Sequence, residues 1–143
     1  MKVRELMTNP VIRIHPEESV AVAARMLANY NIGALPVCGG DGRLQGLVTD
    51  RDLVIRCVAS GRSAATTPVR EVMTANLATA QPDMEACAAA GLMGRLQVRR
   101  LPVLENGRLC GMVSLGDLAV KEETVFDATD ALTDISSGLS SRD

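Results

Sequence analysis

Apolar residues fall into two rhythms along this chain, and each rhythm occurs twice. From about Ser19 to Asn29, Val20, Ala23, Ala24 and Leu27 recur at helical spacing behind Pro16 and Glu17. Short apolar runs at Ala34 to Cys38 and Leu44 to Thr49 flank Gly39-Gly40-Asp41-Gly42, which predicts two strands joined by a hairpin turn. An extended stretch at Val11 to Ile14 precedes the helix, behind a short amphipathic turn or helix around Arg4 to Met7. A further helix is expected from Asp50 to about Ala59, with Gly61 as its stop. The same order returns later: a helix from about Met84 to Met93, strands around the tighter Asn106-Gly107 turn, and a helix starting near Leu115.

The recurrence has a register. Shifted by 66 residues, Val3-Arg4-Glu5 matches Val69-Arg70-Glu71, Met7-Thr8 matches Met73-Thr74, and Leu35-Pro36-Val37 matches Leu101-Pro102-Val103. One residue is then lost in a turn, after which Gly42-Arg43-Leu44 matches Gly107-Arg108-Leu109 and Asp52-Leu53 matches Asp117-Leu118. Agreement that survives a deletion placed in a turn is the mark of a duplicated unit. The fold class read from this is α/β (α+β), a β-α-β-β-α unit twice over in one compact module, since one such unit leaves a sheet face and a helical stripe to bury. The expected organisation is a first repeat over 1–61, a connector over 62–68, a second repeat over 69–121, and a C-terminal helix with a frayed tail over 122–143. In that last segment Val125, Ala128, Leu132 and Ile135 keep helical spacing, which predicts a short acidic amphipathic helix packed on the body or on a second subunit; the fraying is expected from Ser136.

Composition narrows the function classes. Hydrophobic residues make up 47% of the 143 residues, with one Tyr, one Phe and no Trp, so the core must be built from Val, Leu, Ala and Met. A formal charge of -2 supplies no field that would draw the chain to nucleic acid or to an anionic membrane. No apolar run approaches the roughly 20 residues of a membrane span, and the first residues lack the apolar run of a secretory signal. Cys38, Cys57, Cys87 and Cys110 form neither a CxxC pair nor a zinc pattern; a cytoplasmic location with mostly reduced thiols is the default expectation, with one disulfide left open. Cys38 and Cys110 in strands and Cys87 in an alanine-rich helix read as small buried side chains, while Cys57 near the connector reads as the exposed one.

The paired Leu-Pro-Val strands, with the endings Gly46-Leu47-Val48-Thr49-Asp50-Arg51-Asp52 and Gly111-Met112-Val113-Ser114-Leu115-Gly116-Asp117, resemble a tandem pair of cystathionine-β-synthase (CBS) domains from about Val3 to Lys121. Within that family the chain is most similar to small stand-alone pairs of actinobacteria. The resemblance implies a disc-like pair with pseudo-twofold symmetry and a cleft between repeats that takes AMP, ADP, ATP or S-adenosylmethionine, with no cofactor required. It also implies a homodimer. Any regulatory output would then pass through a partner protein or through the dimer.

The residues that could carry this chemistry are Thr49-x-x-Asp52 and its copy Ser114-x-x-Asp117, each where a strand turns into a helix. A helix start offers unpaired N–H groups to phosphate, a hydroxyl adds a donor, and a carboxylate can accept from a ribose diol. The resemblance assigns the ribose to Asp52 and Asp117 and places Thr49 and Ser114 near phosphate. The same spacing is also that of a helix capping box, which needs no ligand. An adenine slot is expected from Val11, Ile12, Ile32, Gly33, Ala34 and Pro36 in one site, and from Leu77, Ala78, Val98, Arg99, Arg100 and Pro102 in the other. For Val11, Val98 and the two prolines, packing in the sheet core is the stronger reading.

The copies differ where it matters. Arg99 and Arg100 stand in place of Gly33 and Ala34, and Leu115-Gly116 in place of Asp50-Arg51, so Arg51, Arg56, Arg99, Arg100 and Lys121 are the cations on hand and unequal sites are expected. Catalysis is not expected: His15 is the lone histidine, next to Pro16 and exposed, and the glycines at 39, 40 and 42 lack the Gly-Lys-Ser/Thr ending of a phosphate loop. Metal binding is not expected either. The reading that follows is a regulatory or sensory adenosine-nucleotide module, against a ligand-free structural or interaction module that works as a dimer.

Overall fold

The structure is a computed structural model that describes residues 1–9, 11–121 and 124–137. It contains two small antiparallel sheets, each of one hairpin, and helices placed around them. The chain divides into two compact units, Ile12–Leu77 and Met1–Val11 together with Ala78–Asp143.

In the unit Ile12–Leu77, helix α1 spans Val20–Tyr30. Ser19 caps it by accepting from the Val22 amide at 3.2 Å, and the connector supplies two more acceptors, Thr67 O to the Val20 amide at 2.8 Å and Ala64 O to the Ala21 amide at 2.9 Å. Asn31 ends the helix in the left-handed region at φ 53°, and the Ile32 amide reaches back to Leu27 O at 3.1 Å. That turn feeds strand β1, Ala34–Cys38, which pairs with β2, Leu44–Thr49. Helix α2, Asp50–Leu53, follows at once and widens into a π-helical turn over Val54–Val58, where the Ala59 amide bonds Val54 O at 2.8 Å. Val20, Ala23, Leu27, Leu35, Val37, Val48 and Cys57 form the core of this unit.

The second unit repeats the plan. Its α3 is Ala86–Leu96, starting two residues later and ending three later than the sequence suggests, with Gln97 in the left-handed region as its stop. Strands β3, Arg100–Glu105, and β4, Arg108–Ser114, form the hairpin, with Asn106 and Gly107 at φ 55° and 79° in the tight turn. Helix α4 is Leu115–Ala119, and α5, Val125–Ser137, packs on α3 and α4. Its buried stripe is Ala128, Ala131 and Ile135; Leu132, expected in that stripe, is 42% exposed. Ser136 and Ser137 belong to α5 where fraying was expected, and residues 138–143 lie outside those described.

The expected first strand of each repeat is only a bridge, for a reason written in the sequence. Ile14 pairs in parallel with Val37, donating to Pro36 O and accepting from the Cys38 amide, both at 3.0 Å. The next rung toward Ile12 would need an N–H from Pro36, and proline has none. Pro102 sets the same limit beside Ala80, whose amide bonds Pro102 O at 2.9 Å.

Each unit also takes the lead segment of the other sequence repeat. The 3₁₀ turn Val69–Glu71 sits in the unit with β1 and β2, and Thr74 and Leu47 exchange two 2.9 Å backbone bonds. The 3₁₀ turn Val3–Glu5 sits with β3 and β4, where Thr8 and Met112 do the same at 2.8 and 3.2 Å. Gly46 and Gly111 make this docking sterically possible: a Cβ at Gly46 would lie 2.9 Å from Thr74 O, and one at Gly111 3.1 Å from Thr8 O.

Two cysteine expectations are corrected. Cys57 is fully buried on the core-facing side of the π turn, whereas Cys87 is exposed because α3 turns Ala86, Ala89, Ala90 and Met93 inward and leaves position 87 outside. All four thiols are free.

Candidate functional site

The two strand-to-helix turns are built alike. Thr49 is the last residue of β2 and pairs across the hairpin with Ala34, while the amide of Asp50 donates to Gly33 O at 3.3 Å. Gly33, Ala34, Thr49 and Asp52 are thereby gathered at one end of the hairpin, all half-buried, with Arg51 exposed beside them. Thr49 Oγ1 accepts from the Asp52 amide at 3.1 Å, and Asp52 Oδ2 accepts from the Thr49 amide at 3.0 Å. In the second repeat Arg100 pairs with Ser114, the Leu115 amide donates to Arg99 O at 2.9 Å, and Ser114 and Asp117 close the same reciprocal pair at 3.1 and 2.7 Å.

The capping box foreseen from the spacing is therefore real in both copies. It does not use up the groups. One carboxylate oxygen, Oδ2, enters each box, and the other oxygen of Asp52 lies 3.8 Å from Arg56 Nε. Asp52 is 14% exposed at its side chain, so its carboxylate sits in a recess where a directed hydrogen bond counts for more than at open surface.

The other expected site residues divide. Ile12 and Ile32 are exposed at 37% and 36% near the start of β1, and Ala78 is half-buried at the corresponding approach to β3. Val11 falls in one compact unit and Ile12 in the other, as Leu77 and Ala78 do, so each expected slot segment straddles a unit boundary. Pro36 and Pro102 are buried inside their strands, as core packing predicts. Arg56 is committed internally: its Nη1 donates to Val72 O at 3.3 Å and Met73 O at 3.0 Å.

Arg99 and Arg100 open onto a cavity of about 440 Å³ together with Ser114, Leu115 and Gly116. Ala119 of α4 and three residues of α5, Ala128, Thr129 and Leu132, complete its lining. Sequence reasoning missed the three of α5. The helical spacing of Ala128 and Leu132 was legible, but nothing in the chain says against which face a terminal helix docks.

His15 is exposed, and its Nδ1 accepts from the Glu17 amide at 3.2 Å. Among the described residues no group of three or more His, Cys, Asp or Glu side chains could hold a metal ion. No helix among them is long and apolar enough to cross a membrane.

Comparison with known proteins places this geometry. The chain is 41% identical over 134 residues to the CBS domain-containing protein YhcV of Bacillus subtilis, covering 94% of each chain. It is 34% identical over 116 residues to hypoxic response protein 1 of Mycobacterium tuberculosis, covering 81% of each. The crystal structure of that protein with two coordinated zinc ions superposes with a TM-score of 0.77 over 83% of this chain and 97% of that one. The CBS domain pair of protein MJ0100, solved in complex with 5′-methylthioadenosine and S-adenosyl-L-methionine, matches at 28% identity with a TM-score of 0.74, over 83% of this chain and 93% of that one. The CBS domain family itself matches residues 3–58 and 69–124, and the chain belongs to it as a tandem pair.

Proposed function

We propose that this protein is a regulatory module that senses an adenosine-containing ligand, AMP, ADP, ATP or S-adenosylmethionine, at the strand-to-helix turn of each repeat. Asp52 and Asp117 hold the ribose diol, and Thr49 and Ser114 lie toward the phosphate. One observation carries the reading: a hydroxyl and a recessed carboxylate are set in the same geometry twice, with only one carboxylate oxygen engaged in each capping box. The adenosine ligands of the MJ0100 pair agree with it. Ile12, Ile32, Gly33 and Ala34 supply an apolar edge for adenine in the first repeat; in the second, Ala78 is the apolar residue at the corresponding approach, and Arg99 and Arg100 stand where the first repeat has Gly33 and Ala34. The module has no catalytic role, acts in the cytoplasm, and passes its signal through a homodimer or a partner protein.

Calorimetric titration of the whole chain with each ligand tests this. Micromolar binding, weakened about tenfold or more in Asp52→Asn or Asp117→Asn through loss of a charge-assisted hydrogen bond, is expected. Absence of heat and of thermal shift with all four ligands would overturn it. A second reading, a ligand-free interaction module, draws on Arg99 and Arg100 where the first repeat has Gly33 and Ala34, and that same null result would favour it.

A further inference from the structure

The surroundings of the two turns differ more than the turns do. In the second repeat the cavity has a cationic side, Arg99 and Arg100, and among the described residues neither guanidinium forms an ion pair. The other side is α5, an element outside the sequence repeat; the first repeat runs from its π turn into the connector instead. Helix α5 is firmly seated. Ala128, Ala131 and Ile135 are buried, and Gly94 lets the two helices approach so closely that a Cβ there would lie 3.3 Å from Ala131 Cα. The buried Thr124 donates its hydroxyl to Leu118 O and accepts the Ala128 amide on its own carbonyl at 3.0 Å, which fixes the entry to the helix. What α5 turns to the cavity is uncharged: Ala128, Thr129 and Leu132 line it, and the carboxylates of Asp127, Asp130 and Asp134 do not. A cavity of about 440 Å³ with guanidiniums on one side and an apolar helix face on the other suits a ligand with an anionic end and a neutral body.

We propose that α5 is the selectivity wall of the second repeat's ligand site: a phosphate-bearing adenosine ligand enters this cavity, with its phosphate at Arg99 and Arg100 and its remainder against Thr129 and Leu132. The inference rests on the adenosine-ligand reading above and narrows it to one chemistry in one repeat. The first repeat has glycine and alanine at the arginine positions, so its site discriminates less by phosphate.

The test uses the whole chain with ATP and with adenosine as probes. Leu132 is 42% exposed, so polar replacements there do not enter the core. Leu132→Glu sets a carboxylate against the incoming phosphate and should weaken ATP at one of two sites by about tenfold or more, while Leu132→Gln should cost about threefold or less and adenosine should respond alike to both variants. Leu132→Trp gives the chain its only tryptophan, and its emission should change on addition of ATP. If Leu132→Glu loses its circular dichroism spectrum, the tryptophan variant decides alone. ATP binding that neither variant registers overturns the role of α5 and leaves the adenosine reading standing. An unmodified chain that binds neither probe overturns both.

Discussion

At the scale of single residues, the Thr49–Asp52 and Ser114–Asp117 pairs are helix caps in the structure and ligand groups in the proposed reading, and the two roles separate by experiment. As caps, they satisfy amides that α2 and α4 would otherwise leave unpaired, so Thr49→Val and Ser114→Ala should each lower the free energy of unfolding by about 1 kcal/mol in urea titrations without ligand. As ligand groups, they should also change binding heats by more than the loss of stability explains. The cysteines give a second prediction. Burial pushes the Cys38 thiol up against the opposing pull of Arg13, and burial together with Glu105 raises Cys110. A raised thiol favours its neutral form in the fold, so this contribution is fully present below the ordinary thiol pKa and is lost as pH rises through the raised value. A disulfide reagent at mildly alkaline pH should label exposed Cys87 first, and Cys38 and Cys57 only after denaturant is added; fast labelling of Cys57 in the native protein would contradict the π turn that buries it.

At the scale of elements, the glycines of β2 and β4 are contact points. Gly111→Ala would place a Cβ 2.6 Å from Met7 Sδ and 3.1 Å from Thr8 O, so the lead segment must move, and we expect a loss of about 1–3 kcal/mol, partly restored by Met7→Ala in the same chain. Chemical denaturation of the two variants checks this. Strands β1 and β2 were legible to the residue, because apolar runs on either side of a glycine-rich turn read as a hairpin, whereas for β3 and β4 only the turn between them was marked. Helix lengths were less so. Nothing local in Val54-Ile55-Arg56-Cys57-Val58 distinguishes a π turn from a continued α-helix, and the choice is made by what Cys57 and Arg56 meet in the folded unit. The half-strand at Val11–Ile14 was in principle readable from Pro36, but only once the parallel bridge and its direction are known. The candidate turn residues were readable because their spacing is local, whereas the α5 wall was not, since it depends on docking between segments far apart in sequence.

At the scale of the whole molecule, the repeats of the sequence and the compact units of the structure do not have the same boundaries. The duplication pairs residues 3–58 with 69–124, yet each hairpin is completed by the lead segment of the other copy. The same contacts recur on both sides: Val69 and Val3 amides bond Glu18 O and Met84 O at 2.8 and 2.9 Å, and Arg70 and Arg4 pair with Glu17 and Asp83. Neither copy cut at the connector would therefore carry its own complete core. Residues 1–8 should be indispensable to the unit that holds β3 and β4 and not to the other. Val3 is fully buried and Leu6 nearly so, and removing them with the Thr8–Met112 bonds forfeits about 1.5–3 kcal/mol for each side chain, a large share of a typical domain's roughly 5–15 kcal/mol. Hydrogen exchange on a chain lacking residues 1–8 should show β3, β4 and α3 losing protection while β1, β2 and α1, whose lead segment at Val69–Thr74 is intact, keep theirs. Equal loss in both sets would mean that the units fold as one cooperative body and that the exchange of lead segments does not set which unit opens first.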